Sequence, residues 1–211
     1  MRLKVIIISI VFLLAGTCIL WYLKPNKIVS ILPYPYYHIT IQIQPFDDLP
    51  RAEIDDLFRR VKMVYPHTVL LPTIKLPMLS YYKDRARFRA DSLIAFLSRN
   101  TADTCVTIGL TSKDISTTGK GNIKDWGVMG LGFQPGNACV VSTFRLNKHN
   151  LADQFFKVSV HELGHTQGLP HCPNKTCFMR DAEGGNHLDE ETGFCSKCRK
   201  ILACKGWILP D

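Results

Sequence analysis

The residues best suited to chemistry are His161-Glu162-Leu163-Gly164-His165-Thr166-Gln167-Gly168-Leu169-Pro170-His171. They read H-E-x-x-H-x-x-G-x-x-H. Residues four apart on a helix stand one above the other on a single face, so His161 and His165 can reach the same metal ion. Glu162 lies beside them, placed to hold the water that such an ion activates. Gly168 can take the left-handed conformation that ends a helix, and Pro170 keeps the next segment out of helix. His171 can then swing back as a third ligand. Three histidines leave one position of a tetrahedral zinc ion open for water, which is the arrangement of a hydrolytic centre. The alternative is an amphipathic core helix that happens to carry two histidines. It does not account for a helix-ending glycine where the third ligand needs a turn.

The next residues carry a second signal. Cys172 follows His171 directly, and Cys177, Cys195 and Cys198 complete two short spacings, C-x4-C and C-x2-C. Four cysteines in two close pairs suit a closed, tetrahedral, structural zinc site. Disulfides compete with that reading if the domain faces an oxidising compartment. Of the other cysteines, Cys105 and Cys139 sit in apolar, strand-like runs as buried thiols. Cys204 packs or stays free, and Cys18 lies in an N-terminal apolar segment. Met179 lies two residues after Cys177. On chemistry alone it is a core filler.

Together, His161 to His171, Cys172, Cys177, Met179, Cys195 and Cys198 resemble the pattern of the archaemetzincins, a family of metzincin-type zinc peptidases. The resemblance covers residues 161–198 closely, with a somewhat shorter spacer between Met179 and Cys195 than the family form. It implies that His161, His165 and His171 bind a catalytic zinc and that Cys172, Cys177, Cys195 and Cys198 bind a structural one. It implies Glu162 as general base and then proton shuttle to the leaving amine. Met179 would lie in the Met-turn, an apolar floor beneath the metal. Arg180 follows it, so no tyrosine is assigned there. The activity implied is peptide hydrolysis by zinc-activated water, with no covalent intermediate. The other reading is a non-catalytic zinc-binding module that recognises peptides or a partner on the same fold, and an intact Glu162 argues against it.

These residues need a scaffold. Residues 37–43 alternate as a strand, and residues 50–64 read as a helix with Ile54, Leu57, Val61 and Val64 on one face. A strand broken by Pro72 follows at 68–76, then a helix at 83–98 and a strand at 104–110. Two strands at 126–133 and 138–144 flank the turn Gln134-Pro135-Gly136-Asn137. The active-site helix spans 151–167, and the rest is loop-rich and held by metal. The fold class is α+β, resembling the metzincin twisted mixed sheet with helices against it. In that architecture an edge strand pairs with extended substrate. Ala138–Ser142 is the candidate, with Val140 and Val141 as substrate-binding residues.

The N-terminus carries a different signal. Residues 1–4 are a short tail, and residues 5–23 hold no charge over a length that suits a membrane span. Trp21 and Tyr22 at its far end suit an interface. A cleaved signal peptide is the rival. Residues 24–35 then form a linker, and residues 36–211 one peptidase domain, expected as a monomer. Its expected place is membrane-anchored, with the catalytic domain outside the cytoplasm. The chain's net charge of +8 falls to +4 without residues 1–27, from 22 basic and 18 acidic residues. That mild excess decides little, and no nucleic-acid partner is expected. Arg85-Ala86-Arg87-Phe88-Arg89 reads as a solvated helix face. His38, His67, His149 and His187 are each isolated and read as surface or structural residues.

Overall fold

The computed structural model of the chain describes residues 39–119, 121 and 123–210. Strand β1 (Thr40–Pro45), helix α1 (Arg51–Val64) and strand β2 (Thr68–Leu70) form a β-α-β unit with parallel strands. The chain later passes through α2 (Ala90–Arg99) into β5 (Cys105–Thr111), parallel to β1 on its other side. Strand β9 (Ala138–Ser142) runs parallel to β5. Strand β8 (Gly130–Gly132) pairs antiparallel with β9, giving the order β2-β1-β5-β9-β8. A second, smaller sheet holds β3 (Tyr81–Tyr82), β4 (Arg87–Arg89), β6 (Ile115–Thr117) and β7 (Trp126–Val128), in the order β3-β4-β6-β7. Helices α3 (Leu151–Thr166) and α4 (Ser196–Ala203) complete the mixed α/β architecture expected from the sequence.

Parallel strands are buried on both faces because crossover helices cover them. The residues sort accordingly. Val106, Ile108 and Leu110 recur with the period of a strand and share one core with Ile54, Leu57 and Val61 of α1 and Val158, Val160 and Leu163 of α3. On the opposite face Ala138, Val140 and Phe46 pack against Leu93, Ile94 and Leu97 of α2. The sheet is thus a middle layer that presents α3 rigidly along β8 and β9.

Several expectations need correction. The helix expected over 83–98 starts at Ala90, because Phe88 is buried while its neighbours turn the other way into the small sheet. Arg87 reaches Asp114 at 2.6 Å and Asp125 at 2.8 Å, and β4 pairs with β3 on one side and β6 on the other, so Arg87–Arg89 form an inner, ion-paired strand rather than a solvated helix face. The strand beginning at Thr68 stops at Leu70, ahead of Pro72, which cannot donate to a ladder. Ala138–Ser142 is not an edge strand. It pairs with β5 on one side and β8 on the other, and Val140 and Val141 are fully buried, so neither offers a free backbone to substrate.

The membrane expectation also falls. Among the described residues no helix is long and apolar enough to cross a membrane. The longest, α3, has 16 residues. At about 1.5 Å per residue it reaches less than the roughly 30 Å hydrocarbon core, and it carries titratable side chains. The tail, span and linker expected over residues 1–35 lie outside the described residues, as do Tyr37 and His38. The anchored, extracytoplasmic placement that rested on the span is withdrawn with it.

Candidate active site

Helix α3 carries His161 and His165 one turn apart, with their Nε2 atoms 3.0 Å from each other. The helix ends in a left-handed glycine cap. Gly168 has φ of +90°, its N–H donates to the His165 carbonyl at 2.8 Å, and the Leu169 N–H donates to the Gly164 carbonyl at 3.0 Å. This reversal brings His171 back, with its ring centroid 4.8 Å from that of His165 and 5.5 Å from that of His161. One ring nitrogen from each histidine lies within 4.8 Å of the others.

Each ring is fixed through its other nitrogen. His161 Nδ1 donates to the Phe178 carbonyl at 2.6 Å, and His165 Nδ1 donates to the Leu169 carbonyl at 2.8 Å. His171 Nδ1 faces the Asp181 carboxylate at 3.1 Å. Burial, then the neighbouring imidazole of His165, lowers His161 to about 3. Burial likewise lowers His165. Both rings are therefore neutral at ordinary pH, the form that binds metal. With Nδ1–H committed, their Nε2 lone pairs face each other, an arrangement that a cation between them relieves. The donor set fits zinc.

Asp181 was not foreseen from the sequence, because it lies in irregular chain where periodicity says nothing. A carboxylate on the far nitrogen of a metal-binding histidine fixes its tautomer, and losing such a partner commonly costs about 10- to 100-fold in metal affinity. Asp181→Asn is expected to weaken zinc binding within that range, read by competition with a chromogenic chelator.

Glu162 is buried, and burial raises its carboxyl to about 8 in the metal-free chain. It sits under the edge strand. A Cβ on Gly130 would lie 2.6 Å from Glu162 Oε1, and one on Gly132 would lie 2.8 Å from the Glu162 carbonyl oxygen. Alternate glycines in β8 thus let the sheet edge lie directly on that residue. Gly130→Ala is expected to displace that carboxylate and lower kcat by about 10- to 100-fold, since misplacement by about 1 Å costs that much. Retained zinc and an unchanged fold by circular dichroism would localise the effect.

Met179 is fully buried beneath the helix, where a Cβ on Gly164 would meet its sulfur at 2.5 Å. The loop that follows is tied to α3. Lys157 Nζ donates to the Leu188 carbonyl at 2.9 Å, Asn186 donates to Gln154 at 3.0 Å, and Gln154 donates to Asp189 at 2.9 Å. The resulting cleft has a volume of about 630 Å³, and Glu162, the three histidines, β8 and this loop line it.

Beside it, Cys172, Cys177, Cys195 and Cys198 bring their four sulfurs within 4.8 Å of one another. The Cys172 and Cys195 sulfurs stand 3.7 Å apart. That is far beyond the ~2.05 Å of a disulfide and close to the ~3.8 Å between two thiolates at about 2.3 Å on one tetrahedral ion. Burial pushes the Cys195 thiol up, but hydrogen bonds from the Cys198 N–H and neighbouring thiols outweigh it and lower the group to about 7. The Cys195 N–H donates to the Cys177 sulfur at 3.3 Å. Cys139 and Cys204 stand outside both groups.

A helix carrying two of three convergent histidines, a buried glutamate, a glycine reversal and a methionine floor beside an open sheet edge define a zinc-dependent metallopeptidase. Comparison with known proteins gives the family. Residues 35–203 match the model of peptidase family M54, and the chain belongs to that family, the archaemetzincins. The archaemetzincin of Haloquadratum walsbyi is 28% identical over 176 residues, covering 77% of this chain and 98% of the relative. That of Methanopyrus kandleri is 33% identical over 132 residues, covering 61% and 73%. The crystal structure of the Methanopyrus kandleri archaemetzincin superposes with a TM-score of 0.68 at 27% identity, covering 83% of this chain and 98% of that one. The Archaeoglobus fulgidus archaemetzincin, solved with malonate, gives 0.65 at 28%, covering 77% and 99%. The chain is a hydrolase of peptide bonds, and no observation favours the non-catalytic reading.

Proposed function

We propose that His161, His165 and His171 hold one catalytic zinc ion and that Cys172, Cys177, Cys195 and Cys198 hold a second, structural one. The observation that carries this is the convergence of three imidazoles, each pinned through its far nitrogen, above the buried carboxylate of Glu162. Zinc in the histidine site supplies Lewis acidity, polarising the scissile carbonyl and lowering the pKa of water to about 7.

The chain's own residues do the rest. Glu162 accepts a proton from the attacking water on its carboxylate and passes it to the departing amine. Burial suits it to this work, because a carboxylate short of solvent holds a proton readily. Met179 supports the helix from below. The free edge of β8, not β9, aligns an extended peptide by main-chain hydrogen bonds. Its glycines leave no side chain between peptide and base.

Metal analysis of the full chain after loading and desalting tests the assignment. Two zinc ions per chain are expected, one of them lost on combined replacement of His161 and His165. One ion in the native chain, or two in that variant, would contradict the two-site reading.

A further inference from the structure

The cleft holds a second buried carboxylate that the hydrolytic mechanism does not use. Glu191 lines the same cavity as Glu162 and is only 4% exposed. Its Oε2 is enclosed, with no hydrogen-bond partner among the described residues. A buried carboxylate is costly unless paired or protonated, so one with an unpaired oxygen in a substrate cleft is suited to a counter-charge brought by the substrate. We propose that Glu191 is a specificity-determining residue that selects substrates carrying a basic side chain, lysine or arginine, beside the scissile bond. The inference rests on the peptidase reading and deepens it.

Lys157 and Arg180 act on Glu191 through space but make their direct ion pairs with other carboxylates. Lys157 Nζ lies 2.8 Å from Asp153 Oδ2 and donates to the Leu188 carbonyl. Arg180 pairs with Glu190 at 2.6 Å and donates to the Lys175 carbonyl. Arg145, the other arginine of the cleft, forms two bonds to Asp114, at 2.8 and 3.0 Å. Against these engaged cations, Asp181 and Glu183 add further negative charge to the lining. A cleft so charged, with low-dielectric walls, attracts a cation.

The walls suit the stem of such a side chain as well as its head. Val158, one helical turn before Glu162, and Leu188 of the loop both line the cleft, so methylenes passing the catalytic carboxylate meet apolar surface. Burial lifts Glu191 to about 7 against the pull of Lys157 and Arg180, as expected of a carboxylate short of a partner. The floor does not drift, because hydrogen bonds from α3 hold the loop that carries it.

Two readouts on the full, zinc-loaded chain test this. In the first, a positional peptide library compares lysine and arginine with norleucine at each position flanking the cleaved bond. The native chain is expected to prefer the basic residue at one position by about 10- to 100-fold, the range of one charge-assisted hydrogen bond. That ratio is expected to approach one in Glu191→Gln. In the second, binding of N-acetyl-lysine methylamide and its norleucine counterpart is measured calorimetrically on Glu162→Gln, with and without Glu191→Gln, so no turnover is needed. Cleavage with no basic preference, or a preference that survives Glu191→Gln, overturns the proposal and leaves the peptidase reading standing. Absence of cleavage with Glu191-dependent lysine binding does the reverse. Should Glu191→Gln fail to fold, Glu191→Met gives a second neutral side chain of similar length for the same ratio.

Discussion

Glu162→Gln is expected to reduce peptide turnover by about 10²- to 10⁴-fold, the usual contribution of a positioned general base, with zinc content unchanged. Glutamine has the same shape and retains an oxygen toward the site, so packing under Gly130 and Gly132 is preserved. What it lacks is the capacity to take and return a proton. The loss should fall on kcat rather than KM, since the base acts in the transition state more than in binding. A variant with more than a tenth of native turnover would exclude Glu162 from the role. A second consequence concerns the chain with its histidine site free of metal. Around pH 6.5 the unfolded imidazoles of His161 and His165 still hold part of a proton that the folded rings do not, which opposes Glu162, and above about pH 7.5 they are largely neutral in both states. Glu162 keeps its proton up to about 8 when folded, but ionises from 4.5 when unfolded. At this group the folded state binds more protons, so its contribution to stability should fall as pH rises from about 7.5 to about 8.5. That contribution should vanish in Glu162→Gln, as read by the difference between the thermal melts of the two proteins across the interval.

Cys195→Ser carries the second large effect. Cys195 is only partly buried, so exchanging sulfur for oxygen costs little in packing. The consequence is therefore metallic. Serine is a poor zinc ligand, and its loss breaks the closed set that Cys172, Cys177 and Cys198 complete. Structural zinc contributes about 10–16 kcal/mol to the folding of small zinc peptides, as much as the whole stability of an ordinary domain. Losing even a third of that should lower Tm by about 7–20 °C, at about 2–4 °C per kcal/mol. Zinc content is expected to drop by one per chain. Native zinc content with an unchanged Tm would remove the structural role from the cysteine group.

Local chemistry was legible in the sequence and lateral pairing was not. The i, i+4 histidines, the glycine that must turn and the cysteine spacings are relations within a few residues, which helix geometry converts directly into contacts. The mistaken edge strand shows the limit. Val140 and Val141 look like any apolar strand, and whether a strand is central or terminal depends on partners far along the chain. Gly130-Leu131-Gly132 held the better clue, because alternate glycines in a strand mark a close approach. The arginine run misled for a related reason. Arg87-Phe88-Arg89 fits a helix or a strand, and Asp114 and Asp125, remote in sequence, decide the matter. Asp181 and Glu191 lie in irregular chain, where position follows from hydrogen bonds to α3 rather than from any periodic pattern.

His171 and Cys172 are consecutive residues pointing into different groups, and the link is reinforced nearby. The Cys172 N–H donates to the Met179 carbonyl at 2.7 Å, and the Phe178 carbonyl that orients His161 follows Cys177 directly. With zinc in both groups as proposed, the sulfur cluster would clamp the hydrolytic centre's own framework, and occupancy would be hierarchical. A chain stripped of its histidine-bound ion would keep the clamp and could be recharged. A chain stripped of its cysteine-bound ion would lose the frame on which the other ion rests. Under zinc scarcity such a molecule would pause before it would fail, with activity lost reversibly well ahead of the fold.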